Sequence, residues 1–165
     1  MIVKQFDREI SNVQNPAIGA AILWRFVCGH YKRDCKSVPF PLLFVVLPIV
    51  FREDLCIVIR STQQASGFSK VSEKLFKGFS NDQLLSVNNA AISMRELTLQ
   101  SFNIGMAANL YSMDFDTAYV FPLRQTNCSG LSSPTRRLLS VSEKMGGWCA
   151  ELSLLEICNL LKVRF

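Results

Sequence analysis

Val38-Pro39-Phe40-Pro41-Leu42-Leu43-Phe44-Val45-Val46-Leu47-Pro48-Ile49-Val50-Phe51 is the longest uncharged apolar run in the chain. An apolar stretch of about 10–14 residues is too short to span a bilayer and fits a buried core segment. Arg52, Glu53 and Asp54 follow at once, which is costly in lipid. Pro39 and Pro41 favour an extended entry, and Pro48 ends or kinks any helix formed by Phe40–Leu47. The run is expected to be the central buried element, packed against the segment that precedes it.

That preceding segment opens on Asn15-Pro16, a favoured N-cap followed by a residue whose missing N–H costs nothing at the first helical position. The pattern predicts a helix from Pro16 to about Tyr31, with Ile18, Ile22 and Phe26 on one line and Leu23 and Val27 beside it. Gly19, Ala20 and Ala21 form a small-residue patch open to close approach. Met1–Gln14 is a mixed-charge lead-in without the basic start and apolar centre of a signal peptide.

Downstream of the run, Glu53–Arg60 fits both a strand, through alternating Leu55, Ile57 and Ile59, and a helix, through its acidic start; the helix is favoured. Phe68–Phe79 reads as an amphipathic helix with Val71, Leu75, Phe76 and Phe79 inward and Lys70, Lys74 and Lys77 outward. A long helix is expected from Asp82 to Leu110, its face outlined by Val87, Ala91, Met94, Phe102 and Met106 and widened by Leu97 and Ile104. Tyr111–Met113 and Ala118–Leu123 flank the turn-rich Asp114–Thr117, a β-hairpin pattern. Thr126–Pro134 is a loop, and Thr135–Cys149 returns to helical spacing through Leu138, Val141, Met145 and Trp148. Ser153-Leu154-Leu155-Glu156 is a capping-box sequence that opens a last short helix to Leu161. The expected fold is mainly α: one helical domain over residues 1–165 with a small hairpin, its helix–hairpin order being that of a winged helix.

Of 165 residues, 49% are hydrophobic and 19% charged, a surplus of apolar groups that points to surface covered by a partner or a second copy. The net charge of +5 permits nucleic-acid binding without demanding it. Six cysteines contain no Cys-x-x-Cys pair, and His30 is the single histidine, so zinc-ligand spacing is absent. Cys28, Cys56, Cys149 and Cys158 lie among apolar neighbours, as free thiols do in a reduced, cytoplasmic protein. His30 has no nucleophile or orienting acid marked by the sequence and reads as a surface or helix-end residue. Gly146-Gly147 lacks the context of a phosphate loop and reads as helix wobble or termination. Glu53-Asp54 and Asp114/Asp116 suit a helix start and a turn. No catalytic, metal-ligating or cofactor-binding residue is assigned, and no cofactor is expected. The basic clusters Lys32/Arg33/Lys36, Lys70/Lys74/Lys77 and Arg136/Arg137 fit solvated faces better than a DNA footprint, and Leu154–Leu161 is poor recognition chemistry.

The order of motifs carries a resemblance. Asn15-Pro16-Ala17, Leu23-Trp24-Arg25-Phe26 and Pro39–Pro48 are followed by Glu143-Lys144-Met145-Gly146-Gly147-Trp148-Cys149, Leu152-Ser153 and the ending Leu161-Lys162-Val163-Arg164-Phe165. This series resembles the middle component of bacterial three-component ABC-ATPase conflict systems. The resemblance implies a non-enzymatic adaptor that couples an ABC-type ATPase to an effector protein in anti-phage or anti-plasmid defence; the short apolar run adds the expectation of no membrane association, and the apolar surplus leaves a homo-oligomer as a further option. The resemblance supplies no catalytic residues and no partner-binding residues. The alternative reading is a winged-helix nucleic-acid-binding regulator; a small hydrolase ranks below both.

Overall fold

The computed structural model describes residues 15–78, 81–127 and 129–164, and the side chains of these except 75–78 and 81–86. The Met1–Gln14 lead-in, the inward placement of Leu75, Phe76 and Phe79, the outward placement of Lys77 and the side chain at the start of the long helix lie outside what it describes, as do Cys128 and Phe165.

Helix α1 (Pro16–Asp34) begins as its sequence requires: the Asn15 Oδ1 accepts from the Ala17 N–H, and Pro16 fills the first turn. It runs three residues past the expected Tyr31 and stops where Cys35 turns left-handed (φ 52°). Val38–Pro39 then form a short strand, β1, and Phe40–Val45 a 3₁₀ turn that leads into α2 (Val46–Val50). Helices α3 (Glu53–Ser61) and α4 (Gly67–Gly78) follow. The expected long helix is two: α5 (Asn81–Ser93) and α6 (Arg95–Ala107), parted at Met94 (φ −93°, ψ 7°). The break turns the apolar stripe, so Val87, Ala91 and Phe102 are buried while Ile104, expected inside, is exposed.

Strands β2 (Tyr111–Asp114) and β3 (Tyr119–Pro122) make the hairpin, and the Asp114 carboxylate holds its turn by accepting from the Thr117 hydroxyl (2.8 Å) and the Asp116 N–H (3.0 Å). β1 adds to the far side of β3, giving an antiparallel sheet of order β1-β3-β2 with Val38 opposite Val120 and Met113 opposite Val120 on the other side. Helix α7 (Ser133–Cys149) and helix α8 (Leu154–Leu161) complete the chain. Ser153 opens α8 with a full capping box, its hydroxyl accepting from the Glu156 N–H while the Glu156 carboxylate accepts from the Ser153 N–H.

The Val38–Phe51 run is buried as expected, with Leu42, Leu43, Val45, Val46, Leu47 and Val50 all nearly inaccessible. The element at the centre, however, is α1. It packs on α6 and α7, on β3 and on α2, so Ile22, Leu23, Phe26 and Val27 have no exposed surface. The α1–α7 seam is close enough to bring backbones together. A Cβ on Gly29 would lie 2.0 Å from the Glu143 carbonyl oxygen, and one on Gly146 would lie 2.2 Å from that of Phe26. Gly146 is therefore not a point of helix wobble but a contact position inside a continuous helix. The Ser142 hydroxyl donates to the Ile22 carbonyl (2.7 Å), which pins the same seam one turn earlier. One contiguous cluster of buried side chains, from Ile22 to Val163, unites the helices and the sheet.

Candidate protein-interaction surface

The residue block that carries the resemblance, Glu143–Cys149, lies along this seam. The Glu143 carboxylate accepts from Arg25 (2.5 Å) and from Lys32 (2.5 Å), joining two turns of α1 to α7. The Lys144 ammonium donates to the carbonyls of Ile59 (3.1 Å), Arg60 (3.3 Å) and Thr62, closing the C-terminal end of α3, where positive charge is favoured. Burial, with Lys74 nearby, holds the Lys144 pKa below the usual lysine value. Trp148 is fully buried and donates its Nε1–H to the Gln64 carbonyl (2.7 Å). The Leu23–Phe26 block behaves alike: Trp24 donates to the Arg124 carbonyl (2.8 Å) and Arg25 to that of Thr126 (3.3 Å), strapping the segment after β3 to α1. These motif residues perform packing and bracing.

The residues weighed for chemistry are dispersed and engaged. His30, expected at the surface or at a helix end, lies near the end of α1 but is buried, because the turn through Lys36 folds back over it. Its Nδ1–H donates to the Lys36 carbonyl (2.9 Å), and burial depresses its pKa, which favours the neutral ring. A cavity of about 580 Å³ lies beside it, lined also by Lys36, Glu151 and Ser153. Glu151 pairs with Arg33, Lys36 with Asp34, and Ser153 is held in its capping box. Asp54 pairs with Arg52 (2.6 Å). Cys28, Cys56 and Cys149 are buried, the Cys28 Sγ–H donating to the Arg124 carbonyl (3.4 Å) and Cys149 pushed up to about 12 by burial, while Cys35 is exposed and Cys158 half-buried. The basic cluster Lys32/Arg33/Lys36 is spent on Glu143, Glu151 and Asp34, and Lys70 pairs with Glu73.

Among the described residues, two apolar grooves open at the two ends of the Val38–Phe51 run. The first, about 390 Å³, is lined by Phe40, Pro41 and Phe44 of the 3₁₀ turn, Ile92 of α5, Leu99 of α6 and Val163 near the C-terminus. Arg95 and Arg164 flank it. The second, about 310 Å³, is lined by Val50 and Phe51 at the end of the run, Cys56 and Ile57 of α3 and Leu138 of α7. Arg60, Arg137 and Glu53 flank it. The two share no lining residue. Ile92 and Ile57, one in each, are 67% and 55% exposed, the large-apolar exposure that marks binding surfaces rather than scattered surface residues when it lies in a groove. Neither groove was legible in the sequence: Ile57 reads there as one member of the alternating Leu55/Ile57/Ile59 set, and Ile92 lies off the apolar face expected through Val87, Ala91 and Met94.

The architecture is thus a mainly helical domain with a small antiparallel sheet, and apolar grooves are among its surface features. The chain belongs to the family described as ABC-three component (ABC-3C) system Middle Component 3, which it matches over residues 3–165. No curated protein and no solved structure matches it. Among the described residues, no helix is long and apolar enough to cross a membrane.

Proposed function

We propose that this protein is a non-enzymatic adaptor that couples an ABC-type ATPase to an effector protein in a bacterial anti-phage or anti-plasmid defence system. Family membership supports its place in a multi-component ABC system. The observation that carries the adaptor role is the pair of separate apolar grooves built on opposite ends of one buried segment. A coupling protein needs two docking faces joined by something stiff, and close-packed interiors transmit displacement rather than absorb it. A stable interface commonly buries about 1,200–2,000 Å² with an apolar centre and a polar rim. Each groove supplies such a centre, with arginine at its edge, a residue enriched in interfaces.

The winged-helix reading has less support. The hairpin lies against α1 with Tyr111 and Val120 buried, and the Lys32/Arg33/Lys36 cluster is ion-paired. Co-expression with an ABC-type ATPase and an effector of the same system tests the proposal. The expected result is a ternary complex that survives gel filtration at moderate salt, with weak duplex binding by the isolated protein that falls steeply as salt rises. Sequence-specific duplex binding at physiological salt, with no ATPase complex recovered, overturns it in favour of the regulator.

A further inference from the structure

We propose that the groove between the Phe40–Val45 turn, α5 and α6 receives an acidic amphipathic helix from a partner protein. The proposal deepens the adaptor reading and rests on it.

The groove is preformed. Phe40 packs edge-on against Phe44 (ring centroids 5.4 Å apart) and against Phe102 (5.0 Å), so its aromatic wall is fixed from behind by a buried ring. The Asn88 amide oxygen accepts from the Arg164 N–H (3.3 Å), which holds the Val163-Arg164 segment along the groove's edge. A wall already in place loses little freedom when an occupant arrives.

The occupant must bring its own backbone hydrogen bonds. The lining comes from the 3₁₀ turn, two helices and the C-terminal segment, and no strand contributes to it. An extended peptide laid there would press unpaired N–H and C=O groups against phenylalanine and leucine side chains. A helix satisfies those groups internally and presents side chains at i, i+3, i+4 and i+7 to an apolar groove.

Charge selects which helix. Arg95 and Arg164 are both exposed, neither has an ion-pair partner among the described residues, and no described carboxylate lines the groove. The second groove differs, since Glu53 stands there with Arg60 and Arg137. Two guanidinium groups at the rim, without an ion pair among the described residues, favour carboxylates flanking the docked face and repel a basic helix.

Photocrosslinking within the assembled complex tests this. The protein carrying Ile92→p-benzoylphenylalanine is co-expressed with its ATPase and effector, irradiated, and the crosslinked segment is identified by mass spectrometry. The expected crosslink is to a helical, carboxylate-bearing segment of one partner. In parallel, Arg95→Glu with Arg164→Glu should weaken binding of that partner at least about tenfold, with unchanged thermal unfolding, while the paired Lys variants stay within about threefold of wild type. A crosslink to a second copy, to residues 1–14 of this chain, to a segment without carboxylates, or to nothing while the complex persists overturns the groove assignment and leaves the adaptor reading standing. Failure of the wild-type protein to form any complex overturns both.

Discussion

The Phe26 carbonyl oxygen stands 2.2 Å from the point where a Cβ of Gly146 would be. Two helix backbones meet there, so the space is set by main chain and cannot be recovered by moving a flexible tip. Gly146→Ala is expected to force α1 and α7 apart and to cost about 1–3 kcal/mol or more. Gly147→Ala provides the contrast, because its new methyl would meet the end of the Gln64 side chain at 3.1 Å and the Gly29 carbonyl oxygen at an ordinary contact distance of 3.6 Å. Urea unfolding of both variants decides it; equal midpoints would show that the seam yields.

The central run should divide by depth. Leu43 is fully buried, whereas Phe44 is half-buried and lines the first groove. Leu43→Ala is expected to cost about 2–5 kcal/mol, the range for emptying a core site, and Phe44→Ala less. Denaturant midpoints measure this, and a Phe44 variant as damaged as the Leu43 variant would place that ring in the core instead.

Lys144 should act as the cap of α3. Its removal in Lys144→Met leaves the carbonyls of Ile59, Arg60 and Thr62 without their cation. The expected loss is about 1–2 kcal/mol, the lower part of the range for charged hydrogen bonds because the ammonium is partly solvated. Hydrogen exchange should report faster opening at the end of α3 with α7 unaffected; uniform loss of protection would assign Lys144 a global role.

His30 gives stability a pH dependence of defined sign. Burial lowers its folded pKa below the ordinary value of 6.5, so the unfolded chain binds the proton more readily. Stability contributed by the neutral ring is present above 6.5 and is lost as pH falls from there toward the lowered folded value. His30→Asn keeps a donor to the Lys36 carbonyl without titrating, and should flatten the profile in that window. An unchanged slope between neutral and mildly acidic pH would remove His30 as its source.

Local signals in the chain were legible where side chain and backbone satisfy each other within one turn. Asn15-Pro16, Ser153 with Glu156 and Asp114–Thr117 are of this kind, and each forms the cap or turn its residues encode. The break at Met94 was not legible, since neither proline nor glycine marks it; the Ser93 hydroxyl turns back to the Ala90 carbonyl there, a bond many serines could make. The pairing of Val38-Pro39 with β3 was hidden because two strand residues at the head of an apolar run look like more of the run. The centrality of α1 was understated because its contacts depend on Gly29 and Gly146, whose lack of a side chain leaves no mark in an apolar count. Grooves lie beyond such reading altogether, since they are made by residues from distant parts of the chain.

The Val38–Phe51 run furnishes lining to both grooves, which gives the family a constraint on its variation. Phe44 and Phe51 are separated by only α2 and its flanking turns, all buried. A substitution that reshapes one mouth to suit a new occupant disturbs the packing that sets the other. On the proposed adaptor reading, related systems that exchange one partner should therefore show compensating change at the contact with the second, so that partners are inherited in matched pairs rather than mixed freely.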